Sequence, residues 1–262
     1  MSNVLIPERE IIRVGSSNLL NDADHPKWTA QHERRYELID LINSVRPDSG
    51  AFIHFLNEAV DEPTISLIAI ETDAVVVGEP VEYVKDQSYM AFLSDKSTSS
   101  KSKTEFTATS EKNEELGFMT MYVDELALFG FHPPHMPWGN DQTERNYMFK
   151  KITEQADSSD QTILLGDSNM SPLSPTRRKL IKDGFKEAHA GDRPPFPTDP
   201  DFRGKTMRWY TPNSSLDVIF FRGDGLRLVE AGYKARMCSD HPTTWADLLV
   251  SKQRQLELSE RP

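Results

Sequence analysis

Short apolar runs, each closed by polar or turn-forming residues, recur along the chain and are interrupted by only a few stretches of helical period. Runs rich in Val, Ile, Phe and Leu predict buried strands, whereas apolar residues three and four apart predict helices lying on a core. Strands are therefore expected at residues 11–19, 51–59, 88–93, 117–123, 126–131, 162–165, 207–210, 216–221, 226–231 and 244–250. A helix is expected at 29–45, where Leu38, Ile39, Leu41 and Ile42 form a stripe and Pro47 closes it. Others are expected at 143–156 and at 175–183, the latter stopped by Gly184. Asp61-Glu62-Pro63 opens a further short helix that Ile65, Leu67, Ile68 and Ile70 would pack, and the β-prone run 74–77 blurs its end. Residues 94–115, dominated by Ser, Thr, Lys and Glu, read as a solvated hairpin or loop with a strand at 105–109, and 191–204 as a Pro-rich loop. Many strands with few, irregularly placed helices predict an α+β sandwich of two packed sheets flanked by helices.

Length and composition narrow this picture. With 262 residues, no internal repeat and no linker, the chain is expected to be one domain with its core at about residues 11–250. Apolar residues make up 37% and mean hydropathy is −0.56, enough for a core under a polar surface. No run reaches the eighteen or so apolar residues of a membrane span, and residues 1–10 lack a signal-peptide pattern. The lone Cys238 cannot form an internal disulfide, which fits a reducing, intracellular (cytoplasmic or nuclear) setting. The formal charge of −11, from 41 acidic and 30 basic residues, argues against a tight nonspecific grip on long duplex. Short, displaced or small phosphorylated substrates suit it better.

The chemistry-bearing residues gather at the ends of the apolar runs. Val14-Gly15-Ser16-Ser17-Asn18, Gly166-Asp167-Ser168-Asn169, Leu216-Asp217 and Ser239-Asp240-His241 each place amides, carboxylates or imidazole where a strand meets a sheet edge. Residues two apart on extended backbone face the same way, so Asp167 and Asn169 can serve one site. Asp217 enters a strongly apolar strand, a costly place for a carboxylate unless it is paired, and His241 is the obvious partner. His132 ends the run 126–131, and His135 follows it, but no Cys or His cluster completes a zinc set. Oxygen-rich donors suit Mg²⁺ or Mn²⁺ instead. Each motif alone also has a plain reading as a turn cap or surface pair.

Taken in order, Ser17-Asn18, Leu56-Asn57-Glu58, His132, Gly166-Asp167-Ser168-Asn169, Leu216-Asp217-Val218-Ile219-Phe220 and Ser239-Asp240-His241 resemble the endonuclease/exonuclease/phosphatase superfamily, the DNase-I-like fold. The resemblance spans residues 11–250 and implies a four-layer α/β/β/α sandwich of two mostly antiparallel sheets. It implies that Asn18, Glu58 and Asp240 hold a divalent metal, that Asp167 activates or positions water, and that Asn169 contacts phosphate. It further implies that Asp217 orients a histidine, while His132 and His241 bind the scissile phosphate. Trp209 lies where members of this family often carry an aromatic beside the active site, though a sheet-face aromatic is an equal reading, and Trp138 and Arg145 would line the same mouth to contact substrate. The sequence departs from the pattern at Asn57, where a glutamine is usual, at Ser17, where an aromatic is usual, and at Phe131-His132-Pro133. Ile68-Ala69-Ile70-Glu71 is a rival to Glu58 as a strand ending in a carboxylate, but it would leave too few residues before Tyr89. The activity implied is metal-assisted, in-line hydrolysis of a phosphodiester, nuclease-like, with nucleic acid as partner. Hydrolysis of small phosphate esters or of 5′-phosphotyrosyl DNA ends is the alternative within enzymes, and an inactive binding module the alternative outside them. In the basic run Arg177-Arg178-Lys179, a solvated helix face competes with a nucleic-acid backbone contact.

Overall fold

Alternation along the strand β2 (Ala51–Ala59) sets the plan of the fold. Ile53 and Phe55 enter one apolar cluster, while Phe52 and Leu56 enter another on the opposite face. A strand buried on both faces needs a cover on each, so one side packs a second sheet and the other packs helices. The structure, a computed structural model, describes residues 5–19, 31–48, 50–59, 61–84, 88–109, 117–133, 140–170, 173–190, 216–234 and 241–255.

The remaining elements in chain order are β1 (Leu5–Asn18), α1 (Gln31–Val45), α2 (Glu62–Glu71), β3 (Val75–Val84), β4 (Ser88–Ser94), α3 (Lys96–Ser99), β5 (Ser102–Ala108), β6 (Gly117–Val123) and β7 (Leu126–Phe131). There follow α4 (Asn140–Ala156), β8 (Gln161–Asp167), α5 (Pro175–Lys182), β9 (Lys186–Glu187), β10 (Asp217–Arg222), β11 (Leu226–Lys234) and β12 (Thr243–Gln255). They form two six-stranded sheets, ordered β11-β12-β1-β2-β4-β3 and β5-β6-β7-β8-β10-β9. Ile12, Val14, Ile53, Phe55, Phe92, Met119, Leu128, Ile163, Leu165, Ile219 and Leu248 fill the space between the sheets. Helices α1 and α2 cover the outside of the first sheet, and α4 and α5 the outside of the second.

Each sheet contains one parallel pair at its centre, β1 with β2 and β7 with β8, while its other pairings are antiparallel. A parallel pair needs a crossover, supplied between β7 and β8 by α4 and between β1 and β2 by α1. The carboxyl ends of both parallel pairs and the amino ends of β10 and β12 then meet at one edge of the sandwich.

Local sequence explains most boundaries. Asp61 caps α2 by accepting from the Thr64 amide at 2.7 Å, with Pro63 in the first turn. The rival run 68–71 is the end of that helix: Ile65, Ile68 and Ala69 are buried, whereas Ile70 is 73% exposed and Glu71 faces solvent. The run 74–77 starts an edge strand, β3, rather than extending the helix. Within 94–109, expected as a solvated hairpin or loop with a strand at 105–109, lie the short helix α3 and the edge strand β5, which begins three residues earlier than expected. Ser174 caps α5, and Gly184 follows it at a φ of +90°. The expected strand at 207–210 and the loop 191–204 lie outside the described residues. Among the described residues no helix is long and apolar enough to cross a membrane.

Candidate active site

The site is built by strand ends from both sheets. On β8, Ile163 and Leu165 face the other sheet, so alternation turns Asp167 inward at the carboxyl end. The same parity brings Asn18 inward on β1 beyond Ile12 and Val14, and Asp217 inward on β10 before Ile219. His132 follows β7 in phase with Leu126 and Leu128.

Glu58 reaches the site by a different route. Strict alternation would send it out with Leu56 toward the helices. Instead Leu56 and Ala59 both face the helices, with two residues between them, and the pairing with β4 shifts there. Glu58 itself adopts a φ of +55°, in the left-handed region that non-glycine residues seldom occupy. This β-bulge brings the carboxylate to the cleft, and strain of this kind is common where function fixes a side chain. Asn169, at a φ of +48°, is the second site residue held in that region.

Contacts among these groups cross between sheets. His132 Nε2 lies 2.9 Å from Glu58 Oε1 and 3.6 Å from Asp167 Oδ2. Asn18 Nδ2 donates to Asp167 Oδ2 at 3.2 Å, and the Asn169 amide donates to Asp167 Oδ1 at 2.8 Å. His241 Nδ1 is 2.7 Å from Asp217 Oδ2 and 3.8 Å from Asp167 Oδ2. The Ser168 amide and hydroxyl both donate to the Leu216 carbonyl at 2.7 Å, extending the β8–β10 ladder to the site.

Electrostatics follow from this packing. Burial is the largest effect on Asp167 and favours its neutral form, yet His241 and His132 outweigh it and hold the carboxyl well below its usual range. Burial likewise pushes Glu58 up, but His132 brings it below the ordinary value. Burial alone would keep His132 neutral; Glu58 and Asp167 raise it to about 10, so it is an imidazolium at neutral pH. Glu58, His132 and Asp167 each offer a ligand atom, all within 4.8 Å of one another. Two carboxylates with the Asn18 amide nearby are hard oxygen donors, which fits a small divalent cation.

The structure thus brings together Asn18, Glu58, His132, Asp167, Asn169, Asp217 and His241. Asp240, Trp209 and Trp138 lie outside the described residues. Arg145, expected at the mouth, is buried beneath it: Nη1 donates to the Asn169 carbonyl at 2.8 Å. Arg177, from the basic run, is also turned inward, where it pairs with Glu187 and donates to the Met170 carbonyl at 3.4 Å. Arg178 and Lys179 remain exposed. A pattern in the sequence marks both buried arginines. Arg145 continues the apolar stripe of Met148, Phe149, Ile152 and Ala156, and Arg177 stands three before the buried Leu180.

A model of the Endonuclease/Exonuclease/phosphatase family matches residues 16–241. No curated protein matches the sequence. Several solved structures share the fold. D. rerio TDP2, complexed with a single-strand DNA product, is 13% identical at a TM-score of 0.66, covering 91% of this chain and 98% of its own. The mannosyl-6-phosphatase Bt3783 of Bacteroides thetaiotaomicron VPI-5482 is 14% identical at 0.65, covering 90% and 99%. The inositol polyphosphate 5-phosphatase domain of spsynaptojanin, in complex with inositol (1,4)-bisphosphate and calcium ion, is 14% identical at 0.62, covering 96% and 87%.

Proposed function

Because this chain belongs to the endonuclease/exonuclease/phosphatase family, we propose that it is a divalent-metal-dependent phosphodiester hydrolase, nuclease-like in its substrate. One observation carries the reading: three carboxylates, two histidines and two amides from strand ends of both sheets converge on one cleft, although six of the seven are largely buried. A fold does not assemble so much buried charge for stability alone.

Glu58, with Asn18 and Asp240, would hold Mg²⁺ or Mn²⁺, which supplies charge neutralisation at the phosphoryl oxygens and a lowered pKa for bound water. The protein residues divide the remaining work. Asp167, held ionised by its neighbours, is a weak proton acceptor, so its part is to orient the attacking water. Asp217 fixes His241 through Nδ1, which makes Nε2 the nitrogen that serves a phosphoryl oxygen. His132 lies deep in the cleft between Glu58 and Asp167, placed to donate a hydrogen bond to the charge that grows on phosphate in the transition state. Asn169, anchored through its backbone on Asp167, presents its side chain beside His132 at 3.5 Å.

The test is hydrolysis of bis-p-nitrophenyl phosphate with Mg²⁺ or Mn²⁺ by the wild type, Asp167→Ala and His241→Ala. Wild-type rates no higher than those of the variants would make the chain an inactive binding module. Single-stranded, duplex and 5′-phosphotyrosyl oligonucleotides should then be compared with small phosphate esters. Intact oligonucleotides alongside ester turnover would replace the nuclease reading with a small-molecule phosphatase.

A further inference from the structure

Asn57 is fully buried, and among the described residues neither its amide nitrogen nor its carbonyl oxygen has a hydrogen-bond partner. Alternation past Ile53 and Phe55 places it on the face between the sheets, opposite Asn18 in the β1–β2 register. It is also the other member of the bulge that delivers Glu58. Folded proteins pair nearly all buried polar atoms, and a leucine of similar size would fill this position without the desolvation penalty. A carboxamide kept at such a position is expected to meet something other than the chain.

Two partners suit it: an internal water unrelated to the site, or water belonging to the site's cation. The position favours the second. Asn57 adjoins Glu58 in sequence and stands beside Asn18, which is bonded to Asp167, so it borders the carboxylate cluster. The other unpartnered polar side chains on this inner face, Ser16 and Thr244, stand opposite each other in the β1–β12 register one row deeper. Small divalent cations keep several waters when bound, and these waters need acceptors in a buried site. We propose that Asn57 is a positioning residue that hydrogen-bonds the water shell of the divalent cation held at Glu58, an inference that rests on the metal-dependent reading above. Its carbonyl oxygen accepts from a cation-bound water. In that role the departure from glutamine at this position shortens the reach by one methylene and leaves room for water.

The experiment uses the full chain stripped with EDTA and measures Mn²⁺ binding from the free-ion EPR signal, with thermal melting of the metal-free protein alongside. Asn57→Leu should raise the metal-free Tm by about 2–4 °C, because it relieves an unmet polar group. It should also weaken Mn²⁺ binding by about tenfold or more. Asn57→Ala should give the same loss of affinity if leucine does not fit. An Mn²⁺ affinity within twofold of wild type in a folded variant overturns the inference and leaves an internal water as the partner. The metal reading is judged separately by wild type against Glu58→Ala. Wild-type binding abolished in Glu58→Ala, with Asn57 variants unaffected, overturns this inference only; no binding by wild type overturns both.

Discussion

Asp167 and Asp217 stand directly across from each other on β8 and β10, both 2% exposed, with His241 Nδ1 at 3.8 Å and 2.7 Å from their Oδ2 atoms. Like charges opposite one another in a ladder repel, and burial makes the repulsion worse. The imidazole, together with His132, the Asn18 side chain and the Asn169 amide on Asp167, lets both carboxylates be buried together. It is therefore a structural member of the cleft as well as a candidate for contact with phosphate.

His241→Ala should accordingly destabilise the metal-free protein by about 3 kcal/mol at pH 7, the usual scale for breaking a buried charged group away from its partner. The sign with pH follows from Asp167, whose folded pKa lies below its ordinary 3.8. A depressed carboxylate contributes stability above its unfolded pKa and loses it as pH falls through the folded value. The gap between wild type and variant should thus be widest above about pH 4 and narrow below it. Urea melts at pH 3, 5 and 7 measure this, and a constant gap would contradict the account.

The His132–Glu58 contact, bridging the two sheets at 2.9 Å, gives the opposite dependence. A histidine raised from 6.5 to about 10 contributes fully below pH 6.5 and loses that contribution as pH rises toward 10. In EDTA the wild type should lose stability across this window, whereas His132→Gln should be flat there. Parallel curves for the two proteins would remove His132 as the cause. A cation entering the same cluster competes with the imidazolium, so Mn²⁺ uptake should release protons and tighten as pH rises.

Gly166 allows the turn from β8 into the site loop. It has a φ of +142°, and a Cβ there would collide with the Phe131 carbonyl oxygen on the neighbouring strand β7. Gly166→Ala should cost about 3 kcal/mol or more, combining backbone strain with overpacking. Gly184 also has a positive φ, +90°, but its nearest neighbour to an added Cβ would be an Arg222 side-chain carbon at 3.8 Å. Gly184→Ala should therefore cost only about 1 kcal/mol. Equal losses in denaturant melts would show that crowding at Phe131 is unimportant.

The sandwich was legible because its central strands are apolar on both faces and its helices carry clear stripes. The edges were not. Only Asp73 and Ala74 separate the close of helix α2 at Thr72 from the start of β3, so its apolar start reads as a continuation. β5 was read only in part, from 105 onward, because its exposed and half-buried side chains leave little apolar signal at its start. The site residues were legible through parity where strands are regular, as for Asp167 and Asp217. Glu58 was not readable that way, since a bulge reverses its facing, and only its match to a family motif pointed to it. Charge was misleading for Arg145 and Arg177, because a basic residue suggests surface until its place on an apolar stripe is noticed.

Arg145 yields the prediction that separates positioning from substrate contact. Its guanidinium holds the Asn169 carbonyl from below, and Asn169 occupies a strained backbone state while bonding Asp167 through its amide and the Pro133 carbonyl through its side chain. Removing that anchor should let the loop relax while leaving the cleft's own carboxylates and imidazoles in place. A shift of about 1 Å in a reacting group can lower a rate by about a hundredfold. Arg145→Met should therefore reduce kcat by about 10–100-fold with KM within about threefold of wild type. The orphaned carbonyl should add a stability loss of about 1–3 kcal/mol, to be checked by denaturant melts so that activity is compared between folded proteins. A residue that gripped substrate directly, with equal force in ground and transition states, would instead raise KM and spare kcat. That second pattern would return Arg145 to the mouth of the cleft as a substrate contact and refute its role beneath the loop.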